Sequence, residues 1–174
     1  MSLLAPYDPS WASRFELIAA ELRAHGDPDW VIEHIGSTAI VGMAAKPVID
    51  VAVRVLDEAE FARHRPALER LGWRVGSGVR SHPVMIFTEN GARTRIAHFF
   101  AAREWDAVNQ RILRDWLRAQ PADAARYEQV KRDAAHAAEQ GRARYNAAKT
   151  GIIQEILVRA RTARGLPLVD AYDK

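Results

Sequence analysis

The sequence predicts an α+β domain, with a small mixed β-sheet of four or five strands flanked by helices and a C-terminal helical layer beside it. Three observations carry this expectation. Over about residues 1–102, short β-branched runs alternate with amphipathic helical patterns. Over about 103–165 the strand signals stop and three helical patterns follow one another. No repeat or low-complexity linker divides the chain, and 174 residues suits one domain spanning 1–174.

The elements follow in order. Tyr7-Asp-Pro-Ser-Trp11 is a turn in which Asp8 or Ser10 can cap a helix over 11–25. Trp11, Phe15, Ile18, Ala19 and Leu22 recur at three- and four-residue spacing and make its apolar face. Gly26-Asp-Pro-Asp leads into a strand over 30–35, and Val48 to Val55 reads as a second. Asp57 starts a helix to Leu71, stopped by Gly72, and Pro66 inside it predicts a kink or two short pieces. Residues 73–75 form a short strand, 76–83 a Gly- and Ser-rich loop, and 84–88 a further strand. Asn90-Gly91 marks a hairpin. The returning strand, 93–100, is expected to set Arg93, Arg95 and Ala97 against Thr94, Ile96 and His98. Helices are then expected over 104–120, 122–140 and 142–164, separated by Pro121 and Gly141.

Composition narrows the function classes. There are no cysteines, which excludes disulfides, thiol catalysis and thiolate metal sites. No apolar run approaches the ~20 residues of a membrane span. The first residues lack the basic stretch and apolar core of a secretory signal, so a cytoplasmic protein is expected. Residues 103–165 hold 13 basic against 8 acidic residues, whereas 1–102 hold 11 against 12. That excess is either a solvated helix face or an attraction for a phosphorylated ligand. With no block of consecutive Lys or Arg, specific nucleic-acid binding is not expected.

The candidate site centres on Trp30 to Val55. Gly36 permits a tight turn and close backbone approach to a ligand. Ser37 and Thr38 can cap the segment that follows and face an anion, and Pro47 pushes Lys46 towards extended geometry. Asp50 is the lone acid within an apolar strand. It either sits on a solvated face, or pairs with Lys46 or Arg54, or binds a metal. His98 is either a satisfied histidine at the core edge or a ligand. Arg80 and His82, in the 76–83 loop, can meet a phosphate unless the loop is a plain connector. Tyr145 and Lys149 share one helix face. Lys149 either snorkels to solvent or enters a cleft.

Glu33-His-Ile-Gly-Ser-Thr38 and Ala44-Ala-Lys-Pro-Val-Ile-Asp50 resemble the GrpB family, which belongs by fold to the DNA-polymerase-β-like nucleotidyltransferase superfamily. The resemblance begins at Tyr7-Asp-Pro-Ser-Trp11, continues through Arg114-Asp-Trp-Leu-Arg118 and ends at Tyr145-Asn-Ala-Ala-Lys149. It implies a nucleotidyltransferase-like fold whose C-terminal helices close a cleft over the Gly36–Ser37 turn. The superfamily pattern has a Gly-Ser turn, two carboxylates two residues apart, and a third carboxylate on a later strand. Here Gly36-Ser37 matches the turn and Asp50 the first carboxylate, but Ala52 stands at the second position. The later strand offers His98, similar to the first His of a family H-L-H-like pattern, with Phe100 at the second His. Glu33 and Glu89 are the nearest substitutes for the third carboxylate.

The resemblance therefore implies Asp50 and His98 as candidate catalytic residues and Mg²⁺ held by Asp50. A nucleotide or other phosphorylated small molecule would meet His34, Gly36, Ser37, Thr38, Lys46, Arg80, Arg114, Lys131, Tyr145 and Lys149. Nucleotidyl transfer from a nucleoside triphosphate to a small-molecule or protein hydroxyl is the first expectation. A binding module for a nucleotide or CoA-like ligand, without turnover, is the second. Ala52 speaks for the second, and so does the fusion of GrpB-like segments to dephospho-CoA kinase. A fold used only for protein contacts comes third.

Overall fold

The computed structural model describes residues 3–77, 79, 81–141 and 145–170. Among these residues, five strands form one mixed sheet in the order β1-β2-β5-β4-β3. They are β1 Val31–Ile35, β2 Ile49–Val55, β3 Arg74–Val75, β4 Val84–Glu89 and β5 Ala92–Ala101. β2 runs parallel to β5, and the other neighbours are antiparallel. The parallel pair follows from the long crossover between β2 and β5, whereas Asn90-Gly91 closes β4 and β5 as a hairpin.

Alternation along β2 sorts its residues between two faces. Val51 and Val53 point to a core built with Trp11, Ile18 and Leu22 of α1 (Ser10–His25) and Phe61 and Leu68 of α2 (Glu58–Arg70). Asp50 and Ala52 point to the opposite face, where the C-terminal helices lie. These are α3 Asn109–Ala119, α4 Pro121–Glu139, α5 Tyr145–Ala148 and α6 Thr150–Ala163. Their own cores join Ile40 and Met43 to Leu117, Tyr127 and Ile156, and Ile112 to Leu157.

Four local expectations need correction. α2 runs unbroken through Pro66, so it is one helix rather than two short pieces. Proline removes one backbone donor, but the Asp57 cap on Glu60 N (2.9 Å) and burial of Phe61 and Leu68 hold the helix on both sides. The helix expected from 104 begins only at Asn109. A 3-10 segment, Ala102–Ala107, and an extended Val108 precede it. The helix expected over 142–164 is two. Lys149 N donates to Asn146 O at 3.3 Å, a tightened turn that separates α5 from α6. Residues 142–144 lie outside the described residues.

The fourth correction concerns β5. Phe87 pairs with Arg95 but Thr88 pairs with Arg93, so Thr94 is an extra residue, a β-bulge. Past the bulge the alternation is re-phased. Arg95 lies on the α1 face, stacked on Phe87 at 4.3 Å and paired with Glu21. Arg93, expected beside it, instead lines the cavity on the opposite face with Ile96 and His98.

Candidate functional site

β1 ends at Ile35, and Gly36 turns the chain with φ of 73°. A side chain there would be strained, and its Cβ would also meet the Asp50 carboxylate. A short 3-10 turn, Ser37–Ala39, follows. The β1–β2 register sets Ile35 against Asp50 and Glu33 against Ala52, so the turn lies beside the Asp50 end of β2.

The helical layer pins this turn through an arginine face on α3. Arg111 donates to both oxygens of Glu33 at 3.0 and 2.8 Å, and Arg114 Nη1 lies 2.7 Å from Glu33 Oε2. Arg114 also donates to His34 O at 3.0 Å, and Arg118 donates twice to Ala39 O, at 3.0 and 2.8 Å. The spacing 111, 114, 118 puts all three on one side of the helix. Burial alone would raise the Glu33 carboxyl, but the hydrogen bonds from Arg111 and Arg114 outweigh it and hold it below its usual range. α4 adds a second anchor, because Lys131 Nζ donates to Ala44 O at 2.6 Å while Glu128 accepts from Ala44 N at 3.3 Å.

Two cavities meet at this place. One, of about 220 Å³, is walled by Ile40, Leu113, Leu117, Ile153 and Leu157, with Asn109 and Gln110 at its edge. The other, of about 730 Å³, holds Lys46, Arg93, Tyr145 and Asn146. Ser37, Asp50, His98 and Lys149 line both. The larger volume lies within the ~300–1,000 Å³ of small-molecule sites. Its cations are grouped, since Lys46 Nζ and Lys149 Nζ lie 4.1 and 4.4 Å from the centroid of the Tyr145 ring. Burial, then the Arg93 guanidinium, lowers the Lys46 ammonium, and burial pushes the Tyr145 hydroxyl up to about 12. A clustered positive wall of this kind attracts a polyanion.

The expected site residues thus divide. Gly36, Ser37, Thr38, Lys46, Asp50, His98, Tyr145 and Lys149 converge on the cleft. His34 faces the other side of β1, stacked on Phe15 at 5.0 Å with Nε2 2.9 Å from Thr38 Oγ1. Burial, then Arg118, depresses His34 to about 4, so it stays neutral and orients Thr38. Arg114 reaches the cleft wall, but its donors meet Glu33, Asp115 and the His34 carbonyl. Lys131 is 1% exposed and spent on Ala44 O. Arg80 lies outside the described residues. Sequence reasoning missed Arg93, hidden by the bulge, and Asn109, Gln110 and Asn146, which carry no motif.

The carboxylate substitutes also separate. Glu33 is consumed by the two arginines, and Glu89 pairs with Arg95 at 2.8 Å. Ala52 is fully buried in an apolar cluster with Ile35, Phe100, Trp105 and Val108, so the second carboxylate position is sealed by hydrocarbon. What remains is Asp50 with His98, whose Nε2 lies 3.9 Å from Asp50 Oδ1. One carboxylate oxygen and one imidazole nitrogen fit a single divalent cation completed by water or ligand oxygens. They do not fit the two-cation carboxylate set.

A family model described as GrpB protein matches residues 3–159. A UPF0157 protein of Halalkalibacterium halodurans is 34% identical over 164 residues, covering 90% of this chain and 81% of that protein. The solved structure of the conserved protein GrpB from Enterococcus faecalis superposes with a TM-score of 0.77 at 26% identity, over 90% of this chain and 98% of that one. Terminal uridylyl transferase 4 from Trypanosoma brucei, solved with bound dUTP, superposes with a TM-score of 0.58 at 14% identity. It is covered over 57% of its chain and 94% of this one, and the likeness is one of nucleotidyltransferase fold alone.

Proposed function

The chain belongs to the GrpB family, and we propose that it transfers a nucleotidyl group from a nucleoside triphosphate to a hydroxyl of a small molecule or protein. The observation that carries this reading is the meeting of the cationic cavity and the apolar chamber at Asp50. The triphosphate occupies the larger cavity, against Ser37, Lys46, Arg93 and Lys149. The acceptor enters the smaller chamber, against its apolar walls. Its hydroxyl oxygen forms a bond to the α-phosphorus as the bond to the bridging oxygen breaks. Pyrophosphate leaves, and the hydroxyl proton passes to solvent. Asp50 with His98 would hold Mg²⁺ or Mn²⁺, which when bound would supply Lewis acidity at the phosphate oxygens. The lysines and Arg93 neutralise the charge that develops on the leaving group.

Nucleoside triphosphates with MgCl₂ or MnCl₂ should raise the melting temperature. A ligand held a hundredfold above its Kd adds about 2.7 kcal/mol. Label from an α-phosphate should appear in an acceptor product, and Asp50→Ala should abolish it. Binding without turnover, indifferent to the cation, would overturn transfer.

A second reading has its own observation. The apolar seal around Ala52 stands where the superfamily pattern has one of its three carboxylates, which favours a module that binds a nucleotide or CoA-like ligand without reaction. Cation-independent binding of CoA precursors is its signature.

A further inference from the structure

A chain of three side chains runs outward from the cleft, and beyond His98 it passes through His82 and Ser81, which the proposed transfer does not use. His98, on β5, points Nε2 towards Asp50. Its Nδ1 lies 2.8 Å from Nε2 of His82, in the loop before β4. His82 Nδ1 in turn lies 2.9 Å from the hydroxyl of Ser81. The His82 ring packs on Phe100, centroid to centroid 4.2 Å, which fixes its plane.

Two neutral imidazoles joined by one hydrogen bond have two proton arrangements. In the first, Ser81 O–H donates to His82 Nδ1, His82 Nε2–H donates to His98 Nδ1, and His98 carries a proton on Nε2. In the second, His98 Nδ1–H donates to His82 Nε2, and His82 Nδ1–H donates to the Ser81 oxygen. The distance from His98 to Asp50 favours the second. At 3.9 Å, His98 Nε2 is beyond hydrogen-bond reach of Asp50 Oδ1, so a proton there would lack that partner. The second arrangement pairs both ring N–H groups and leaves only a lone pair facing the cleft.

We propose that His82, anchored by Ser81, is a positioning residue that holds His98 as its Nδ1–H tautomer, so that the Nε2 lone pair of His98 stands beside Asp50 as a ligand for one divalent cation. This rests on the cation site of the proposed transfer but not on nucleotide chemistry. Outer groups of this kind set the tautomer and orientation of a ligating imidazole. The nitrogen donor also favours Mn²⁺ or Zn²⁺ over Mg²⁺.

The test uses the full chain labelled with ¹⁵N-histidine. Long-range proton–nitrogen spectra of the ligand-free protein should show His98 protonated on Nδ1. In His82→Ala that preference should be lost. In His82→Gln, whose amide oxygen can stand near the lost Nε2 and accept from His98, it should persist. Mn²⁺ affinity, measured by calorimetry without nucleotide, should fall about ten- to a hundredfold in His82→Ala and recover in His82→Gln. An Nε2–H tautomer in the wild type would overturn the proposal. So would an unchanged tautomer and Mn²⁺ affinity in a folded His82→Ala. A protein that shows the tautomer and binds Mn²⁺ but no nucleotide would overturn the transfer reading and leave this one standing.

Discussion

A Cβ on Gly36 would lie 2.6 Å from Oδ2 of Asp50 and 3.2 Å from its Cβ. The turn and the carboxylate are therefore one unit: Asp50 occupies its position because nothing projects from residue 36. Gly36→Ala combines that clash with a positive φ, and should cost roughly 1–3 kcal/mol in urea unfolding. It should also displace the Asp50 carboxylate, so Mn²⁺ affinity should drop with stability. A variant of unchanged stability and affinity would show that the approach is not tight in solution.

The bulge at Thr94 separates two arginines that are neighbours in sequence. Arg93→Ala removes a cation from the larger cavity, and nucleotide affinity should fall about tenfold, the equivalent of 1.4 kcal/mol, with a weaker dependence on salt. Arg95→Ala breaks pairs with Glu21 and Glu89 on the other face. It should lower the melting temperature slightly and leave nucleotide affinity unchanged. Calorimetry at two salt concentrations separates the two outcomes.

Glu33 is the hinge between β1 and α3. Glu33→Ala leaves Arg111 and Arg114 partly buried without their shared carboxylate, at a cost of about 1–3 kcal/mol. Because the folded carboxyl is lowered from 4.5, its contribution is present above that value and lost as pH falls through the folded one. Acid unfolding followed by circular dichroism should therefore begin at a lower pH in wild type than in the variant, in which that contribution is absent throughout.

Lys131 is a buried cation whose folded pKa falls from 10.5 to about 7, chiefly by burial and then by Lys149. Between these values the unfolded chain binds more protons than the folded one, so this group's contribution to stability rises with pH. Below pH 7 both states are protonated and the full penalty stands. The stability of wild type relative to Lys131→Met should accordingly increase from pH 7 to pH 10, by a few kcal/mol at most. Denaturant unfolding at pH 6.5, 8 and 9.5 measures it, and a flat difference would contradict the assignment.

Much of the fold was legible because hydrophobic periodicity and turn residues are local signals. The five strands, α1, the hairpin at Asn90-Gly91 and the Gly36-Ser37 turn all stand where the residues place them. Ala52 could be read as a missing ligand against the carboxylate pattern that the resemblance implies. The unbroken α2 could not, because burial of Phe61 and Leu68 overrides a local breaker.

The functional division of the charged residues was much less legible. Arg114, Lys131 and Lys149 look alike as cations in a helical segment. Only packing shows that Arg114 meets Glu33, that Lys131 meets the Ala44 carbonyl, and that Lys149, placed near Tyr145 by its spacing, lines the cleft.

The sequence by itself determined the α+β class, the turn, the lone carboxylate of the second strand and the absence of thiol chemistry, because each depends on residue type and near neighbours. Tertiary structure alone decided that Arg93 faces the cleft, that Glu33 is spent on arginines, and that His98 meets His82. Those outcomes depend on register and on contacts between residues far apart in the chain, which side-chain period and spacing do not encode.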